Sequence, residues 1–237
     1  MKTDYKEISE ISDDNDFWIR AKSDLIDALL SNVGKHGKIL NIGAGTGGEI
    51  KILKKYGKVY AIDINPNAVK FIPKRLCEEK KVCDATDIKY PDSSFDIVTS
   101  FDVFEHIGDD AKSVEEVCRV LKPRGYLIFT VPAFQMLFSS HDRALEHKRR
   151  YGKAALKSLL KNFQILKLGY WNFSLLLPTF IMRMVKDRSV PKLDHMALGR
   201  ISNSLLYNIL KSESILIKKN IPLPIGLTIY GVCRKSI

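Results

Sequence analysis

The sequence predicts an α/β protein built on a doubly wound, mostly parallel sheet, and three observations carry that prediction. An apolar run, Ile39-Leu40-Asn41-Ile42, enters a glycine cluster at Gly43, Gly45, Gly47 and Gly48, and a helical pattern (Ile50, Leu53, Tyr56) follows at once. That order reads as strand, tight turn, helix. A second apolar run, Val59 to Ile62, ends on the carboxylate of Asp63. Further short apolar runs then alternate with amphipathic stretches as far as Pro132, as strands do when crossover helices join them in parallel. In such sheets a ligand binds at the carboxyl ends of the strands.

Taken in order, a helix is expected from Asp16, its N-cap, with Trp18, Ala21, Leu25, Leu29 and Val33 on one stripe and Gly34 and Gly37 ending it. Strand one covers 38–43, and its helix runs to Tyr56. Strand two is 58–63. Asn65-Pro66 opens the next helix, since Pro suits a first helical turn. Strands follow at 81–84 and 95–101, then a helix at 109–121 with Val114, Val117, Cys118 and Leu121 on one face. Pro123-Arg124-Gly125 turns the chain into a strand at 126–131. Beyond Pro132 come a polar connection, a helix marked by Leu156, Leu159, Leu160 and Phe163, and a strand over 163–173. Inserted helices over 174–220 and a closing strand at 227–233 complete the chain.

Composition narrows the class. Hydrophobic residues make up 45% and charged residues 27% of 237, which describes a folded globular chain. Cys77, Cys83, Cys118 and Cys233 have neither disulfide-framework nor zinc spacing. The first residues hold no apolar stretch, and Phe173–Met184 is broken by Pro178 and carries Arg183. No signal peptide or membrane span is therefore expected, and the expected location is cytoplasmic. The net charge of +11 favours an anionic partner.

The glycine cluster and Asp63 together indicate a nucleoside-containing cofactor. The glycines permit close approach of a ligand to the backbone, the helix start offers free N–H groups, and an acid at the second strand tip can accept from ribose hydroxyls. Gly43, Gly45 and Gly48 also fit a dinucleotide pattern, so the rest of the chain must decide. Several segments in register do so. Asn41-Ile42-Gly43-Ala44-Gly45-Thr46-Gly47, Asp63, Cys83–Asp87, Phe95–Val98, Val103–His106 and Leu121–Gly125 together resemble the class I S-adenosylmethionine-dependent methyltransferases over about residues 16–132.

That resemblance implies a Rossmann-like seven-stranded sheet with a helical insertion before the last strand. It implies S-adenosyl-L-methionine as cofactor, bound by Arg20, Asn41, Gly43, Ala44, Gly45, Gly47, Asp63, Ile64, Asp84, Ala85 and Phe101. One departure stands out: the family usually has an acid where this chain has Asn41, which brings no charge to the methionine ammonium. The expected organisation is one domain over 1–237, with a polar arm at 1–15, a lid helix at 16–34 and a cofactor-binding core at 35–132. An acceptor-site connection at 133–152 and a helical insertion at 173–221 follow.

The acceptor side is read from charge density. His141-Asp142-Arg143-Ala144-Leu145-Glu146-His147-Lys148-Arg149-Arg150-Tyr151 follows strand five. His141, His147 and His106 are the expected acid–base residues, and Asp142, Arg149, Arg150 and Tyr151 the expected acceptor contacts. Glu105-His106 could serve acid–base chemistry or, as in some relatives with this pair, a metal completed by a distant His. The reading adopted is a helix cap or pocket lining, with no metal ligands assigned. The stretch resembles a subgroup acting on surface glycans and lipid-linked saccharides, which implies O-methylation of a small-molecule, saccharide or lipid-linked glycan acceptor. Apolar residues of 173–184 beside Arg183, Lys186, Arg188 and Lys192 suit peripheral contact with an anionic membrane. Nucleic acid is not the expected partner, because no RNA-binding module is appended. The competing readings are an RNA or protein methyltransferase and a non-catalytic binder of the same fold.

Overall fold

The computed structural model describes residues 16–35, 37–186 and 200–236. Its strands are β1 (Lys38–Ile42), β2 (Lys58–Asp63), β3 (Glu79–Val82), β4 (Phe95–Phe101), β5 (Leu121–Pro132), β6 (Phe163–Trp171) and β7 (Thr228–Lys235). They form one seven-stranded sheet in the order β3-β2-β1-β4-β5-β7-β6. β1 to β5 pair in parallel, and β7 runs antiparallel between β5 and β6. The strand order reverses between β1 and β4, so the loops leaving those two strands border the crevice in which ligands of open α/β sheets bind.

The described helices are α1 (Phe17–Ser31), α2 (Ile50–Leu53), α3 (Pro66–Phe71), α4 (Asp110–Val120), α5 (Ser140–Ala144), α6 (Lys153–Leu159), α7 (Leu176–Lys186) and α8 (Arg200–Lys218). Successive strand residues point to opposite faces, which divides the core in two. Leu40, Ile42, Val98 and Phe129 pack with Val117 of α4 and Leu156 of α6 on one face. Ile39, Ile97 and Ile128 pack with Leu25 and Leu29 of α1 and Leu210 and Ile217 of α8 on the other.

The expected cap at Asp16 forms, and Asn65 caps the helix that Pro66 opens. Asp16 accepts from the Trp18 and Ile19 amides at 2.8 and 3.2 Å, and Asn65 accepts from Asn67 at 2.9 Å ahead of Pro66. Several boundaries move. The helix after β1 is one short turn-and-a-bit, Ile50–Leu53, and stops before Tyr56. β3 lies two residues earlier than expected because it is an edge strand of mostly polar sequence, Glu79-Lys80-Lys81-Val82, without the apolar run that marks a central strand. β5 starts at Leu121, before the expected turn. A register shift between the Phe95–Leu121 and Ile97–Tyr126 pairs absorbs Pro123-Arg124-Gly125 as a bulge, with Arg124 at φ +63°. Two helices, α7 and α8, lie between β6 and β7. The arm at 1–15 and the basic residues Arg188 and Lys192 lie outside the described residues. No helix of the described residues is long and apolar enough to cross a membrane.

Candidate active site

The glycine loop borders the crevice with Gly43, Gly45 and Gly47 at φ +65°, +51° and +93°. Their reasons differ. A Cβ on Gly43 would sit 2.3 Å from Val103 Cγ2, so this glycine lets the turn after β4 pack against the loop. A Cβ on Gly45 would meet no heavy atom within 4 Å, so open space stands over it. Asp63 fixes the loop from β2: its Oδ2 accepts from the Gly45 amide and its Oδ1 from the Asn65 amide, both at 2.8 Å. A carboxylate has about four acceptor positions, which leaves capacity for ribose hydroxyls. Ile64 beside it is 67% exposed. Asp84 closes a local turn by accepting the Thr86 amide and hydroxyl at 2.8 and 2.9 Å.

Asn41 is buried in β1. Its Oδ1 accepts the Thr99 hydroxyl at 3.1 Å, while its Nδ2 is buried with no partner. Such an orphaned polar atom, next to a loop with an unfilled cradle at Gly45, fits a polar cofactor. Ala44, Ala85 and Phe101, also expected at the cofactor, have side chains buried in the apolar clusters.

α1 lies over this end of the sheet through Lys22, an anchor the sequence reading missed. Its ammonium contacts Glu49 beside the glycine loop and Asp102 at the end of β4, each at 3.1 Å. Burial opposes the charge, but the two carboxylates hold the Lys22 ammonium above its usual range. The available signal was its place beside Trp18, Ala21 and Leu25, where a cation on an apolar face needs an acid. Arg20, expected at the cofactor carboxylate, stacks 3.6 Å above the Tyr207 ring of α8.

On the other side of the crevice, Asp102 at φ +57° redirects the chain into a short turn, Phe104–His106. Glu105 is fully buried, and its two carboxylate oxygens have no hydrogen-bond partner. Burial first, and then the Asp102 charge, push its carboxyl well above the usual range. His106 reaches the surface, and the His147 ring lies across it at 4.7 Å between centroids and 86°. Glu105, His106 and His147 each offer one ligand atom within 4.8 Å of the others.

The residues expected to touch the acceptor are engaged with partners within this corner, and of them Arg149 stays partly exposed. Asp142 is fully buried: Oδ2 caps the Ser139 amide and hydroxyl at 2.9 and 3.1 Å, and Oδ1 meets His147 Nδ1 at 3.0 Å and Arg150 at 2.7 Å. Arg150 also donates to the Ala133 carbonyl. Arg149 pairs with Asp110 at 2.9 Å and donates to the Gly108 carbonyl, and the buried Tyr151 hydroxyl donates to Asp110 at 2.7 Å. Each group is matched to an internal partner, because a charged connection packed against the sheet must satisfy its charges locally. They fasten the connection, and the Lys148 amide stitches it to the Glu105 carbonyl at 2.8 Å. His141 is exposed and lies outside the Glu105–His106–His147 group.

Residues 40–129, which run from β1 into β5 and contain the glycine loop, Asp63, Asp84 and the Phe104–His106 turn but not α1 or the His141–Tyr151 connection, match the family model of the methyltransferase domain. Over these residues the chain carries a methyltransferase domain. The chain is 34% identical over 122 residues to the 2-methyl-6-phytyl-1,4-hydroquinone methyltransferase of a Synechocystis strain, covering 47% of this chain and 38% of that protein. It is 36% identical over 104 residues to the glycine/sarcosine/dimethylglycine N-methyltransferase of Actinopolyspora halophila, covering 40% and 18%. The chain thus spans well under half the length of these two relatives. Its fold matches an N-methyltransferase of Bradyrhizobium japonicum solved with S-adenosyl-L-homocysteine, at a TM-score of 0.60 and 14% identity over 95% of this chain and 90% of that one. The methyltransferase domain therefore has the Rossmann-like architecture expected, with S-adenosyl-L-methionine as the cofactor of its class.

Proposed function

We propose that this chain transfers the methyl group of S-adenosyl-L-methionine to a small-molecule acceptor seated over the turn that follows β4. The observation that carries the reading is the two-sided crevice: an open glycine cradle with Asp63 on one wall, and His106 and His147 on the other, joined by the Gly43–Val103 packing. When bound, the sulfonium supplies an electrophilic methyl group and departs as a neutral thioether. Asp63 would accept ribose hydroxyls, Ile64 would cover an apolar face of the base, and Asn41 would meet the methionine moiety. The protein's main task is then to hold donor and acceptor in line.

We further propose O-methylation of a hydroxylated acceptor, a saccharide or lipid-linked glycan. Two features support it. Two adjacent imidazoles, His106 and His147, are groups suited to taking a hydroxyl proton. Phe173 and α7 residues Leu177, Phe180 and Ile181 are 45%, 66%, 41% and 52% exposed, a surface suited to a lipid carrier or bilayer. Arg149 and Arg150 no longer support an anionic acceptor, since internal partners hold both. The test is transfer of labelled methyl groups to fractionated cell extract. Label in soluble or chloroform-extractable saccharides supports the reading, whereas label confined to precipitated RNA or protein overturns it. Cofactor binding with no transfer to any fraction indicates a binder of the same fold.

A further inference from the structure

We infer that Glu105, His106 and His147 form a site for one first-row divalent cation at the acceptor wall of the crevice. Fully buried with oxygens that meet no donor, Glu105 is unfavourable as an anion, and the neighbouring cations offset that burial only in part. Lys22 is engaged by Glu49 and Asp102, and Arg150 by Asp142 and the Ala133 carbonyl. A bound cation supplies the missing partner.

The neighbours complete a ligand set. One atom each from Glu105, His106 and His147 lies within 4.8 Å of the other two, with the imidazoles set edge to face. His147 is oriented as ligating histidines usually are. Its Nδ1 is held by Asp142 at 3.0 Å, which leaves Nε2 for a metal, and Asp142 is itself fixed by Ser139 and Arg150. The Lys148 amide on the Glu105 carbonyl ties the two ligand segments together. His106 reaches solvent, which provides the entry path.

Two imidazoles and one carboxylate suit zinc, cobalt, manganese or iron(II) better than magnesium, which prefers oxygen ligands. Three protein ligands leave positions open for an acceptor oxygen, whose pKa a bound cation would lower. The oxygen would lose its proton to water and form a bond to the methyl carbon, as the carbon–sulfur bond breaks and its electron pair stays on sulfur. That role rests on the methyl-transfer reading. The site itself does not.

The experiment titrates the chelator-stripped full chain with Zn2+ by calorimetry and with Co2+ by visible absorption. One ion per chain is expected, with cobalt d–d bands. His147→Ala and Glu105→Gln should weaken binding at least tenfold, and Asp142→Asn by about 10- to 100-fold through loss of the oriented imidazole. Because buried Glu105 and Asp142 variants can misfold, the surface variant His106→Gln serves as the decisive one. Its circular dichroism and S-adenosylmethionine affinity should stay normal while the cobalt bands are lost. No ion bound, or unaltered binding in His106→Gln, overturns the site, as does a response to Mg2+ alone. Loss of cofactor affinity in wild type would instead count against the methyl-transfer reading.

Discussion

Gly43 and Val103 meet where the glycine loop and the turn after β4 come together, so closely that a Cβ on Gly43 would lie 2.3 Å from Val103 Cγ2. Two residues along, Gly45 faces open space. The two glycines should therefore fail differently. Gly43→Ala should lose stability, by roughly 1–3 kcal/mol in denaturant titration, because overpacking adds to the left-handed backbone cost. Gly45→Val carries the left-handed backbone cost without overpacking, and should lose cofactor binding because its side chain fills the cradle. A Gly45→Val protein that folds and binds normally would show that the cradle is not the cofactor site.

Lys22 is the strap between α1, the glycine loop and β4. Lys22→Met leaves Glu49 and Asp102 without their shared cation, and we expect a loss of about 1–3 kcal/mol. The same variant should raise the KM for S-adenosylmethionine, since the glycine loop loses its tie to α1. Unchanged stability and KM would reduce Lys22 to a surface cation.

Acid should act through Asp142. Burial favours the neutral carboxyl, yet the hydrogen bonds from His147 and Arg150 prevail and hold it below the usual carboxylate range. A depressed folded-state pKa gives stability that is present above about pH 3.9 and lost as pH falls toward the folded value. Asp142→Asn should be less stable at pH 7 and show a flatter acid-unfolding curve below about pH 4. A parallel curve would mean that the Asp142 cluster contributes no charge-dependent stability.

Alkali should act through buried thiol and phenol groups. Burial pushes the Cys233 thiol up to about 12. A raised folded-state pKa means stability that is complete below the unfolded value of about 8.5 and lost as pH rises toward 12. Tyr90 and Tyr151 are shifted the same way, first by burial and then by their hydrogen bonds to Glu79 and Asp110. The Tm should fall steadily between pH 9 and 11, and Cys233→Val should make the decline shallower. Equal slopes would argue that Cys233 ionises freely in the folded chain.

What could be read in advance follows from how locally each feature is encoded. The β1–glycine–helix order, Asp63, the Asp16 cap and the helix opening at Asn65-Pro66 are contiguous patterns, and the structure contains them all. β3 was displaced because Glu79–Val82 has no apolar alternation and owes its strand to pairing with β2. The bulge at Pro123–Gly125 hid the start of β5 for the same reason: the pairing of Phe95 with Leu121 is a long-range fact. At the acceptor side the dense charges from His141 to Tyr151 were visible, but their direction was not. Asp142 caps Ser139 locally, but Arg149 and Tyr151 find partners at Asp110 and Gly108, and Arg150 at the Ala133 carbonyl, which only the folded chain brings near. Lys22 and the meeting of His147 with Glu105 belong to that same long-range class.

The central claim is that the crevice between β1 and β4 binds S-adenosyl-L-methionine through Asp63 and the open Gly45 cradle. Calorimetric titration of the cofactor into wild type, Asp63→Asn and Asp63→Ala tests it most directly. The account predicts one site in wild type and a loss of about 1.5–3 kcal/mol in Asp63→Ala, roughly 10- to 150-fold, with Asp63→Asn in between. Equal affinity in all three proteins, or no heat of binding in wild type, would contradict it.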